Sequence, residues 1–151
     1  MDCRIVQREA MTLLGTTARI NPMGADYTTL WAEFGKHAEA IGALAADPGA
    51  YSAYFGTDEP GKADFMAAMV VPAGTAAPEG LVVRDVPAGQ YAEFACTMST
   101  ISKTWGGIYE TWLPQSEWAE DESRPSLEYY GADMSYSPDG KLTILVPVRS
   151  K

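Results

Sequence analysis

The chain has 151 residues, a length that suits one domain or two small halves sharing one core. Hydrophobic residues make up 46% of it and four Trp, eight Tyr and four Phe are present, which excludes a disordered chain. Eleven Lys and Arg against twenty Asp and Glu leave a net charge of −9, which argues against direct nucleic-acid binding and docking on anionic lipid and favours a small cationic partner.

Residues from about Cys3 to Ile20 mix alternation with β-branched side chains and read as one extended, bulged strand. Tyr27, Leu30, Trp31, Phe34, Ala38 and Ile41 recur at steps of three and four, the face of one helix, with Asp26 as N-cap and Asp47-Pro48-Gly49 as the stop. Tyr51 to Phe55 is a strand, Gly56 to Gly61 a turn, and Phe65 to Val71 a strand closed by Pro72. Leu81 to Met98 is strand-like with a kink at Pro87-Ala88-Gly89. Ile101, Trp105, Ile108 and Trp112 form a second helical stripe, capped by Ser99 and stopped by Pro114. Leu127 to Tyr130 is a short strand, Ser137-Pro138-Asp139-Gly140 a turn, and Leu142 to Val148 the closing strand.

The order of elements repeats. Ala53-Tyr54-Phe55-Gly56 matches Glu128-Tyr129-Tyr130-Gly131 at an interval of 75 residues, and Val70-Val71-Pro72 matches Leu145-Val146-Pro147 at the same interval. Trp31 and Trp105 stand 74 apart. The expected fold class is therefore α+β: two strand–helix–strand–strand units related by a pseudo-twofold, one antiparallel sheet, two helices and a ligand cleft at the seam. The first unit runs over about 1–73, a linker of small residues over 74–80, and the second unit over about 81–151, together one domain.

The two cysteines, Cys3 and Cys96, have no C-x-x-C spacing, no second histidine joins His37 to make a metal pair, and no Ser-His-Asp triad is suggested. Neither a metal site nor a cofactor is expected. The N-terminus has an acid at Asp2 and no apolar signal core, and no run of about 18 apolar residues occurs, so the expectation is a cytoplasmic protein. Glu117, Glu120, Asp121 and Glu122 read as a solvated loop.

Glu128 stands out. Period-two alternation puts it on one face with Tyr130 and leaves Leu127 and Tyr129 on the other. Buried, its carboxylate is costly without a partner and poised to accept a positive charge; on an edge strand it would be an ordinary exposed acid. Candidate ring partners are Tyr130, Tyr91, Tyr109, Phe55, Trp31, Trp105 and Trp112, since ring faces stabilise a held cation by about 0.5–2 kcal/mol each.

The runs VPAGQYAEF (Val86 to Phe94), WGGIYETWLPQS (Trp105 to Ser116), LEYYGAD (Leu127 to Asp133) and ILVPV (Ile144 to Val148) together resemble the GyrI-like small-molecule-binding domain, the module that also forms the effector-binding half of multidrug-responsive bacterial transcription regulators. The resemblance covers about Val82 to Val148 well and the first half loosely. It implies a duplicated α+β module with a cleft at the seam and a buried acid at the Glu-x-Tyr position, here Glu128, meeting cationic aromatic ligands. With the first strand starting near Cys3, a stand-alone ligand module without a DNA-binding segment is expected. In place of an aromatic before the final Pro-Val, Thr143 to Val146 supply an aliphatic wall. The leading reading is a binder of cationic, aromatic or lipophilic molecules for sequestration or sensing, with a protein partner or homodimer as further associations. The alternatives are a hydrolase of cyclopropanoid genotoxins, with Glu128 as its acid or base, and an acidic inhibitor of DNA gyrase.

Overall fold

Alternation decides most of the strands. In β4 (Ala63–Val71), Phe65, Ala67, Met69 and Val71 take one face and Met66, Ala68 and Val70 the other, so the strand is apolar on both sides and belongs at the centre of a sheet. A computed structural model of the chain describes residues 2–133 and 137–151. Chain order is β1 (Arg4–Arg8), β2 (Met11–Ile20), α1 (Tyr27–Lys36), α2 (Ala38–Leu44), β3 (Ala50–Gly56), β4, β5 (Val82–Val86), β6 (Gly89–Thr97), α3 (Ile101–Gly107), a π-helical stretch Ile108–Trp112, α4 (Leu113–Gln115), β7 (Trp118–Glu120), β8 (Ser126–Tyr130) and β9 (Lys141–Ser150).

Among the described residues the strands form one nine-stranded antiparallel sheet ordered β1-β6-β9-β8-β3-β4-β2-β5, with β7 paired to β9 off this path. Exchanging β1 with β5, β2 with β6, β3 with β8 and β4 with β9 reverses the order without changing it. The centre of that exchange is the β3–β8 pair, where Ser52 faces Glu128 directly across the strands.

Two expected long strands are each broken. Cys3 to Ile20 splits at Glu9-Ala10 and Leu81 to Met98 at Pro87-Ala88, where proline lacks the N–H a ladder needs. The breaks have a topological cause: β1 pairs with β6 and β5 with β2, so each short strand crosses to the opposite half and covers its edge.

The helices lie on one face. Asp26 caps α1, accepting from the Thr29 N–H at 3.2 Å and the Thr29 hydroxyl at 2.7 Å. The single expected helix divides at His37, whose N–H turns back to Phe34 O at 2.9 Å. Ser99 does not cap α3. Thr100 holds the cap position, and its hydroxyl is engaged by the Thr97 N–H at 3.0 Å. Pro114 lies one residue before the end of the helical run, which closes at Gln115 with the Ser116 N–H turned back to Leu113 O at 3.3 Å.

Ile20, Phe65 and Ala67 are packed under α1 by Tyr27, Leu30, Trp31 and Phe34. Ile41 of α2 packs on Leu14, Val71 and Leu81. Phe94, Ile108, Ile144, Val146 and Val148 form the core beneath α3, with Trp105 and Trp112 on its border. The opposite face carries a separate buried cluster that includes Leu13, Tyr51, Phe55, Met66, Tyr91 and Leu127. No helix among the described residues is long and apolar enough to cross a membrane.

Candidate functional site

Strand β8 runs between β3 and β9 and points Glu128 at the helical layer, with the side chain on the same face as Ser126 and Tyr130. Glu128 is 4% exposed, so the edge-strand alternative is excluded. Its Oε1 accepts from the Tyr130 hydroxyl at 2.8 Å and the Tyr54 hydroxyl at 3.2 Å, and its Oε2 accepts from Trp105 Nε1 at 2.8 Å. All three donors are neutral. Among the described residues no ion pair reaches this carboxylate. Burial, and after it the charge on Glu128, pushes the Tyr54 and Tyr130 phenols well above their ordinary range, which keeps both protonated as donors. The same two causes push the Cys96 thiol up to about 11.

The surrounding rings obey the symmetry of the strand order. Two residues beyond the Ser52–Glu128 pair lie Tyr54 on β3 and Tyr130 on β8. Trp31 of α1 meets the Tyr130 ring edge-on at 5.6 Å and 82°, and Trp105 of α3 meets the Tyr54 ring edge-on at 6.2 Å and 79°. Each helix thus places a tryptophan against the tyrosine of the other half. Tyr27 adds a further edge contact to Tyr54 at 6.5 Å. A cavity of about 240 Å³ opens beside this frame, lined by Tyr27, Thr28, Trp31, Met98 and Tyr130. Glu128 is not one of these lining residues; Tyr130, which is, donates its hydroxyl to it.

Of the residues singled out in the sequence, Glu128, Tyr130, Trp105 and Trp31 come together here. Tyr109 adjoins them, stacked on Trp105 at 6.0 Å and 10°, with its hydroxyl on Glu120 Oε2 at 2.9 Å. Three do not join. Phe55 is one residue past Tyr54 and so faces the opposite side of the sheet, under the Arg84 guanidinium at 3.6 Å. Tyr91 is buried on that same opposite face, with Arg124 4.8 Å above its ring. Trp112 packs edge-on against Phe94 at 5.1 Å and borders a separate cavity with Gly107, Thr111, Gln115 and Ser116.

Tyr54, Tyr27 and Met98 belong to the site and were missed. The 75-residue match places Phe55 opposite Tyr130, whereas the pairing of Ser52 with Glu128 makes Tyr54 the counterpart, at 76. A one-residue shift turns a strand's side chain to the other face. The acidic run is corrected too. Glu120 sits in β7, partly buried, accepting from Tyr109, and burial raises its pKa above the usual carboxylate value. Asp121 accepts from the Ser123 hydroxyl at 2.6 Å and Arg124 Nε at 3.1 Å.

Fold and site together describe a ligand-binding α+β domain with an acid set among rings where its halves meet. The chain belongs to the GyrI-like small molecule binding domain family, whose profile matches residues 1–149. Among solved structures it is similar to SAV2435 bound to tetraphenylphosphonium, with a TM-score of 0.81 and 16% identity over 99% of this chain and 94% of that one. It is similar to the EcmrR C-terminal domain, with a TM-score of 0.74 and 8% identity over 99% and 98%. It is also similar to a hydrolase encoded by lin2189 from Listeria innocua, with a TM-score of 0.61 and 9% identity over 97% and 91%. Identities this low show a shared fold. No curated protein matches the chain significantly.

Proposed function

We propose that this domain binds lipophilic aromatic cations in the cavity beside Tyr130, with Glu128 supplying the negative charge. The carrying observation is a buried carboxylate whose hydrogen-bond partners are all neutral. Burying an ion without a counter-ion is costly. A positive guest relieves that cost, and it does so without forming a hydrogen bond to the acid. Trp31, Tyr27 and Tyr130 offer ring surface to such a guest, each face adding about 0.5–2 kcal/mol. Without a guest, the Tyr130 phenol is bonded to Glu128 at 2.8 Å, so the cavity wall and the acid are directly connected. The similarly folded SAV2435 was solved with tetraphenylphosphonium, a cation of this class. The net charge of −9 draws cations toward the surface. Sequestration or sensing is the role such binding serves.

Calorimetric titration with tetraphenylphosphonium and with the neutral triphenylphosphine oxide tests this. The cation should bind at least tenfold more tightly. Equal affinities would show that ring area alone decides.

A second reading rests on the 2.8 Å bond between the Tyr130 hydroxyl and Glu128, which pairs a proton donor with a carboxylate beside an open cavity. One similarly folded protein is described as a hydrolase. Turnover of a cyclopropanoid compound, lost in Glu128→Gln, would establish that activity.

A further inference from the structure

Ser52 occupies the position on β3 that Glu128 occupies on β8. The two are direct cross-strand neighbours on the helical face, where paired Cβ atoms lie about 4.5–5.5 Å apart. Ser52 is 1% exposed, and its Oγ is buried without a hydrogen-bond partner. It lies beside the Tyr130 hydroxyl, near enough to hold back part of the rise in that phenol's pKa, while the phenol's one proton goes to Glu128. A buried hydroxyl left unpaired costs free energy, and a carboxylate has about four acceptor sites, of which three are filled here.

The Tyr130 ring is also a wall of the cavity. A guest that turned this ring would take the phenol away from Glu128 Oε1. The group placed to take over is the hydroxyl across the strand pair. We infer that Ser52 is a positioning residue for Glu128: its hydroxyl replaces that of Tyr130 as donor to the carboxylate when Tyr130 turns to a guest, keeping the acid charged and oriented. This rests on the binding function proposed above. The groups that face Glu128 are Tyr54 of β3, Tyr130 of β8, Tyr27 of α1 and Cys96 of β6, with Trp105 from α3 and Ile144 from β9. Tyr54 and Tyr130 already donate to Glu128, which leaves Ser52, among the described residues, as the hydroxyl without a partner at the β3–β8 pair.

Two measurements decide it. Tetraphenylphosphonium is titrated into wild type, Ser52→Ala and Ser52→Thr across pH. We expect Ser52→Ala to bind about tenfold more weakly, the size of one lost hydrogen bond to a charged group. We also expect the pH below which its binding fails to move upward, with Ser52→Thr restoring both. Wild-type affinity and pH profile in Ser52→Ala would overturn the inference. The second measurement uses no ligand. The indole N–H resonance of Trp105, bonded to Glu128, reports the carboxylate's titration by NMR. Tyr130→Phe removes the first donor as a guest would. We expect the titration midpoint to rise more in Tyr130→Phe/Ser52→Ala than the two single shifts together. Additive shifts would overturn the role of Ser52 even if the wild type binds no cation, which is the separate failure of the function itself.

Discussion

Tyr54 and Tyr130, 76 residues apart, donate their hydroxyls to the same oxygen of Glu128 from neighbouring strands. The pair straddles the centre of the sheet's reversible strand order, and each ring is met edge-on by the tryptophan of the other half's helix. The frame is symmetric and the charge within it is not, because the counterpart of Glu128 is Ser52.

The two phenols differ in distance, and only Tyr130 has the unpaired Ser52 hydroxyl beside it. On a Ser52→Ala background, where no spare hydroxyl can stand in, deleting either leaves a buried carboxylate short of a donor, which costs about 1–3 kcal/mol. On that background we expect Tyr130→Phe, which removes the 2.8 Å bond, to destabilise more than Tyr54→Phe, which removes the 3.2 Å bond. Their combined loss should exceed the sum, since either alone leaves the other in place. Urea unfolding of the two single variants and the double reads this, and strict additivity would contradict it.

The Cys96 thiol, pushed up to about 11 by burial first and by Glu128 second, should react slowly with iodoacetamide near pH 8. In Glu128→Gln the pH–rate midpoint for Cys96 should move down while remaining above the ordinary thiol value, because burial persists. A midpoint unmoved by the substitution would place the charge too far away to act. Cys3→Ser isolates the signal.

Much of this site was legible in the chain. Alternation around Glu128 put the acid and Tyr130 on one face, and the helical stripes delivered Trp31 and Trp105. What failed was register. The visible similarity of Ala53 to Gly56 with Glu128 to Gly131 runs at 75 residues, but strand faces are preserved only at an even step about the Ser52–Glu128 pair, so Phe55 was drawn in and Tyr54 left out. The crossing of β1 and β5 to opposite halves was invisible for a different reason. It is a long-range choice of partner, made by exposed edges and not by local pattern. The division of the first helix at His37 likewise had no local stop signal beyond Gly35 nearby.

Gly15 shows how tightly the central strands pack. A Cβ there would stand 1.8 Å from the Ala67 carbonyl oxygen, which belongs to the backbone of β4 and cannot swing aside. Gly15→Ala should cost about 3 kcal/mol or more. Urea unfolding tests this, and a loss below about 1 kcal/mol would show that β2 and β4 separate more readily than their pairing suggests.

Glu120 should leave a mark on stability. Its folded pKa is raised, chiefly by burial, so folding favours the protonated form. The contribution is therefore fully present below the unfolded carboxyl pKa near 4.5 and is lost as pH rises through the folded value. Glu120→Gln should gain stability relative to wild type as pH increases across that window and show no gain below it. A difference that stays flat with pH would contradict the burial of this acid.

Cation binding at this site depends on the charge of Glu128, and Glu128→Gln removes that charge while keeping the side chain's size. One charge pair at about 8 Å and an effective dielectric of about 20 is worth about 2 kcal/mol, roughly 30-fold in Kd. The deciding measurement is the Kd of tetraphenylphosphonium for wild type and Glu128→Gln by calorimetry at one ionic strength, with thermal unfolding confirming that both are folded. A loss of about 30-fold in the variant supports a buried anion as the anchor, and an unchanged Kd in a folded variant contradicts it.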